Sequence, residues 1–169
     1  MSLIDKKAKE KEIAQFFAAW LSRSKRESYQ ISEAEEDRDI DYMLIEGNSK
    51  SEVSLQITTC DEKSIKGRLE AIKSRGEVIT YDPDFEACIE KAIRRKASRY
   101  PVALRSKITL LVWSDFAMIE ENYIKRLMSQ VCKESCFREI YLVVPPQNSY
   151  PKNVGKVIPL KQSYAPTKP

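Results

Sequence analysis

Five residues in the middle of the chain carry side chains suited to chemistry: Asp39, Asp41, Gln56, Thr58 and Lys96. Asp39 and Asp41 alternate within DIDYMLI (39–45), and Gln56 and Thr58 alternate within EVSLQITT (52–59), so an extended backbone puts each pair on one face. If the two segments pair through the turn Gly47-Asn48-Ser49, Asp41 and Gln56 approach one another near the end of the sheet. Carboxylate and amide oxygens at such a point are hard ligands of the kind Mg²⁺ prefers. Lys96 adds a cation. Phe85, Ile89, Ala92, Ile93 and Tyr100 mark an apolar helical stripe; Lys96 falls within it, whereas Lys91 points the opposite way. An ammonium on an inward face needs an anionic or accepting partner, because desolvating it unpaired is costly. The alternatives for Lys96 are a side chain that snorkels near the helix end or a structural salt bridge.

Other chemistries are excluded by composition. The chain has no histidine, which removes Ser-His-Asp and Cys-His catalysis and any mixed zinc site. Its four glycines are too scattered for a phosphate-cradling loop. Cys60, Cys88, Cys132 and Cys136 match no metal spacing; Cys132 and Cys136, four apart in an expected helix, read as small buried side chains, and reduced thiols suit a reducing compartment. The N-terminal stretch is charged and amphipathic rather than a secretory leader, and no apolar run approaches the roughly 18 residues of a membrane span. A cytoplasmic protein with no membrane partner is therefore expected.

Charge is informative by position. Of 29 bases, four lysines (Lys152, Lys156, Lys161, Lys168) follow Val144 with no acid among them, leaving 25 bases against 25 acids in residues 1–144. Within that neutral body, Lys91, Arg94, Arg95, Lys96, Arg99, Arg105 and Lys107 form a run with no acid between Glu90 and Asp115. A solvated helix normally mixes signs, so the segregation suits a phosphate backbone.

The elements that must position these groups follow from periodicity. Ile13, Phe16, Phe17, Trp20 and Leu21 give a first helix with one buried stripe. Segments 27–32, 39–45 and 52–59 read as strands, and Ile65, Leu69 and Ile72 suggest a short helix ended near Gly76. Asp82 as cap, Pro83 at the first helical position and Pro101 beyond the end bound a second main helix. Segments 107–114 and 139–144 read as buried strands around a helix at about 117–133, an alternation that favours parallel pairing. Six of the eight prolines follow Val144, so residues 145–169 are expected as an extended Pro/Lys-rich tail on a single α/β domain spanning 1–144.

The order of these elements resembles the PD-(D/E)XK nuclease family, whose restriction-endonuclease-like αβββαβ core has an acid on the second strand and an (Asp/Glu)-X-Lys triplet on the third. The similarity spans roughly Ile13 to Ser114. Asp41, followed by the apolar run Tyr42-Met43-Leu44-Ile45, resembles the second-strand acid, with Asp39 as the alternative. Gln56-Ile57-Thr58 stands at the triplet, with Gln in place of the acid and Thr in place of the lysine. Some members carry the lysine on the following helix, and the segment from Ala92 to Tyr100 is similar to that helix. Glu12, beside the first helical stripe, is a weaker candidate for a further site acid.

The resemblance implies a mixed sheet of four or more strands flanked by helices. It also implies a divergent nuclease that hydrolyses phosphodiester bonds with Mg²⁺, or with Mn²⁺ as substitute. Asp39, Asp41 and Gln56 would bind metal and Lys96 would stabilise developing charge. Lys91, Arg94, Arg95, Arg99, Arg105 and Lys107 would contact nucleic acid, with DNA favoured over RNA. The alternative is an inactive module of the same fold that binds nucleic acid or a protein partner; a homodimer is compatible with either.

Overall fold

The computed structural model describes residues 3–34, 40–60, 74–75, 83–115, 120–146 and 155–163. Helix α1 (Leu3–Lys25) buries Ile13, Ala14, Phe17, Ala18 and Leu21, the face its spacing predicts. Strands β1 (Tyr29–Glu33), β2 (Tyr42–Glu46) and β3 (Glu52–Thr59) form an antiparallel meander. At the tight β2–β3 turn, Lys50 takes φ 53 and Glu46 accepts from the hydroxyls of Ser49 and Ser51.

Helix α2 (Pro83–Ala97) and the single turn α3 (Val102–Arg105) carry the chain to β4 (Ile108–Trp113), which pairs parallel with β3. Helix α4 (Glu121–Glu134) then leads to β5 (Glu139–Val144), parallel to β4. The Glu120 carboxylate caps α4 by accepting from the amides of Asn122 and Tyr123.

Among the described residues the sheet has six strands in the order β1-β2-β3-β4-β5-β6, where β6 (Lys156–Lys161) pairs antiparallel with β5. The stretch after Val144, expected as an extended tail, thus contributes an edge strand. Val157, Ile158 and Leu160 are buried, which anchors it by the same burial that orders the other strands. Pro159 is compatible with this position because an edge strand does not need every N–H in its ladder.

Each face of the sheet has its own core. Leu55, Ile57, Leu111, Trp113, Tyr141 and Val143 pack beneath α1. Ile108, Leu110, Val112, Ile140, Leu142, Ile158 and Leu160 pack against α2 and α4. All six residues of β4 are buried, as expected of a parallel strand covered on both sides. An α/β architecture with a mixed sheet and helices on both faces is therefore present. Boundaries differ from expectation: β1 runs from 29 to 33, β2 begins at Tyr42, β4 runs from 108 to 113 and α4 from 121 to 134, and Cys136, expected as a buried helical residue, lies past the end of α4 at φ 60 and is only half-buried. The short helix near 65–72 and the Asp82 cap lie outside the described residues. Among the described residues, no helix is long and apolar enough to cross a membrane.

Candidate functional site

The site begins where β2 stops and β3 continues. Tyr42 pairs with Leu55, so the register brings Asp41 beside Gln56, and the Asp41 amide donates to the Leu55 carbonyl at 3.0 Å. Past that point β3 has lost its β2 neighbour. The Asp41 carboxylate compensates by accepting from the Ile57 amide through Oδ2 at 2.6 Å, which fixes the side chain at the sheet's end.

Because Leu55 and Ile57 face α1, Gln56 and Thr58 face α2, where they are only 2% and 5% exposed. Each meets a cation from the last turn of that helix. Lys96 Nζ donates to Gln56 Oε1 at 2.6 Å. Arg95 Nη2 donates to Thr58 Oγ1 at 2.9 Å and to the Thr59 carbonyl at 3.3 Å. A lysine on the apolar stripe has thus found the accepting partner that its burial requires.

Electrostatics adds a residue that sequence reasoning missed. Burial holds the Lys96 ammonium below its ordinary range; the Asp41 charge opposes this, and Arg99 reinforces it. The Glu10 carboxyl is shifted upward, first by burial and then by the nearby charge of Asp41, with Lys6 and Lys96 pulling it back. Glu10 comes from α1, is 13% exposed at its side chain, and pairs with Lys6 at 3.5 Å. Burial, then Glu10, also raises the Tyr42 phenol, whose hydroxyl donates to the Lys7 carbonyl at 3.5 Å. Glu12, the acid suggested by sequence, instead pairs with Lys9 at 3.1 Å and is 51% exposed. The signal for Glu10 was available: it precedes Ile13 by three residues and Phe17 by seven, continuing the buried stripe toward the helix N-terminus.

The structure brings Asp41, Gln56 and Lys96 together, with Glu10 within electrostatic reach. Thr58 is adjacent but belongs to Arg95. Asp39 lies outside the described residues. Among the described residues no three acids, cysteines or histidines gather into a metal-binding group. A hard cation at the site would have the Asp41 and Glu10 carboxylates and the Gln56 amide oxygen as its protein donors. Mg²⁺ commonly takes one or two carboxylates and completes its shell with substrate phosphate and water, so the donors present fit it.

The basic run divides by partner. Arg94 is neutralised by Glu90 at 2.7 Å and by Glu134 of α4 at 3.2 Å. Arg105 donates to the Ser135 carbonyl at 2.8 Å, joining α3 to the end of α4. The local absence of acids did not reveal these contacts, because the partners come from elsewhere in the fold. Lys91, Arg95, Arg99 and Lys107 are exposed. No family model, curated protein or solved structure matches this chain, so function is read from the geometry of the site.

Proposed function

We propose that the protein is a divergent Mg²⁺-dependent nuclease with a restriction-endonuclease-like core, acting on phosphodiester bonds in DNA. The observation that carries this reading is the meeting of Lys96 with Gln56 beside Asp41. A helix-borne lysine reaches the third strand where that strand's own triplet lacks one. The antiparallel meander followed by a parallel β4 agrees with the αβββαβ order of such a core. Asp41 and Glu10 hold the cation with help from Gln56, and Lys96 stabilises negative charge on the reacting phosphate. The bound cation supplies Lewis acidity and a more acidic water. Exposed Lys91, Arg99 and Lys107 steer the polyanion to the site.

A second reading, a module of the same fold that binds without cutting, draws on Gln56 itself: a neutral amide stands where an acid would strengthen the cation's hold. One experiment separates the two. Lys96→Met preserves bulk and removes the charge, and should lower Mg²⁺-dependent cleavage by about 10²–10³. Lys133→Met, at an exposed lysine of α4 outside the proposed site, should leave cleavage unchanged. Melting curves verify that both variants fold, and EDTA should abolish cleavage by the unmodified protein. Cleavage that is equal in the two variants removes Lys96 from the mechanism. DNA binding without any cleavage selects the second reading.

A further inference from the structure

The third-strand triplet ends in Thr58, whose hydroxyl carries no charge, and Lys96 Nζ is bonded to Gln56. A second cation nevertheless stands at the triplet. Arg95 Nη2 bridges Thr58 Oγ1 and the Thr59 carbonyl, at 2.9 and 3.3 Å. The arrangement is asymmetric: Thr58 is almost fully buried, while Arg95 is exposed. One nitrogen of the guanidinium is thereby seated on the strand. Its Nε and Nη1 edges make no hydrogen bond among the described residues. Beside it runs a shallow depression on the outer face of α2, lined also by Lys91, Arg94 and Ser98, with Glu90 as its one acid among the described residues. A guanidinium held through Nη2 keeps Nε and Nη1 as donors on the same rigid plane, so it can give a charge-assisted bond to a phosphate oxygen while it stays seated, which a compact ammonium on a flexible stem does not do with the same fixed geometry.

We propose that Arg95, positioned by Thr58, binds the substrate phosphate from α2 in the role that a lysine on β3 would otherwise fill, while Lys96 serves Gln56 and the reacting charge. This assignment rests on the phosphodiester reading above and specifies how the substrate is held. Arg95 would touch substrate; Thr58 acts through it as a positioning residue.

The test uses the full chain and a short duplex DNA, with binding measured in Ca²⁺ and cleavage in Mg²⁺. Arg95→Ala should weaken binding by about tenfold or more and reduce the dependence of log affinity on log salt by about one. Arg95→Lys should recover only part, because the planar group that joins the Thr58 seat to the phosphate is lost while the charge remains. Thr58→Val should lie between wild type and Arg95→Ala, and Thr58→Ser should behave as wild type because it keeps the hydroxyl seat. Added guanidinium ion should restore part of the Arg95→Ala deficit and none of the Lys96→Met deficit, a distinction that loss of a structural strap would not produce. If Arg95→Ala does not fold, Arg95→Lys and Thr58→Val decide the matter by the same binding and salt measurements.

Wild-type cleavage with unchanged binding and cleavage in the Arg95 and Thr58 variants overturns this proposal and leaves the nuclease reading intact. Binding that depends on Arg95, with no cleavage by wild type, sustains the phosphate role and overturns the catalytic one. A wild-type protein that neither binds nor cleaves the duplex overturns both.

Discussion

Glu10 and Asp41 reach the same corner from different elements, and the carboxylate on α1 bears the consequence. Its folded-state proton affinity exceeds the ordinary value of 4.5, through burial first and Asp41 second. Below pH 4.5 the carboxyl is protonated in both folded and unfolded chains, and its contribution to stability is fully present. As pH rises through the folded value, the native state must ionise a hindered carboxyl and stability is lost. Glu10→Gln removes that titration. Variant and wild type should melt together below pH 4.5, and the variant should be the more stable at neutral pH. Mg²⁺ should narrow the gap by stabilising only the wild type, since Glu10 and Asp41 share the cation in the proposed site. Parallel melting profiles across the acid range would contradict this account of Glu10. Lys96 acts in the opposite sense at the alkaline end: its folded value lies below 10.5, so stability is gained as pH rises through it.

At the scale of elements, α1 and β6 lie far apart in sequence and depend on one another through a glycine. Gly155 enters β6 at φ 82, a conformation that costs other residues energy, and a Cβ there would lie 2.6 Å from Phe16 Cζ and 2.9 Å from Pro146 Cδ. Gly155→Ala adds backbone strain to a clash with a ring and a proline, neither of which yields readily. The expected loss is about 1–3 kcal/mol, read from the midpoint of urea denaturation. A midpoint equal to wild type would mean that the α1–β6 junction accommodates the methyl group. Helix α2 makes a related point about placement. Its buried residues Phe85, Cys88, Ile89, Ala92 and Ile93 fix the rotation that turns Lys96 toward β3 and Lys91 toward solvent.

Over the whole molecule, β6 determines whether the sheet ends in a covered edge. β5 is apolar along Ile140 to Val144 and is paired on both sides, with β4 on one and β6 on the other. Ending the chain after Pro146 would uncover a flat apolar strand and the inner faces left by Val157, Ile158 and Leu160. Such a truncation should lose its cooperative thermal transition and aggregate, as followed by circular dichroism and light scattering. A soluble, cooperatively melting product would show that β5 is stable as an edge. Pro159 and the charged ends Lys156 and Lys161 make β6 the better terminus for the sheet.

Sequence alone determined what local periodicity can encode. The alternation of EVSLQITT separates Leu55 and Ile57 from Gln56 and Thr58, and the stripe through Ile89, Ala92 and Ile93 turns Lys96 inward. From those two patterns an accepting partner for Lys96 on the third strand could be expected, and the 2.6 Å bond to Gln56 is that contact. Groups joined by long-range packing lay beyond that reach. Glu10 rather than Glu12 feels the Asp41 charge, because α1 buries Glu10 and leaves Glu12 exposed beside Lys9. Arg94 is neutralised by Glu134, forty residues away, and Arg95 is seated on Thr58 across the helix–sheet interface. The Pro/Lys-rich stretch became a strand because β5 offered it an unpaired edge and the two cores offered burial for Val157, Ile158 and Leu160. A repeat of two or 3.6 residues determines which face a side chain takes; only the packing of one element on another determines what that face meets.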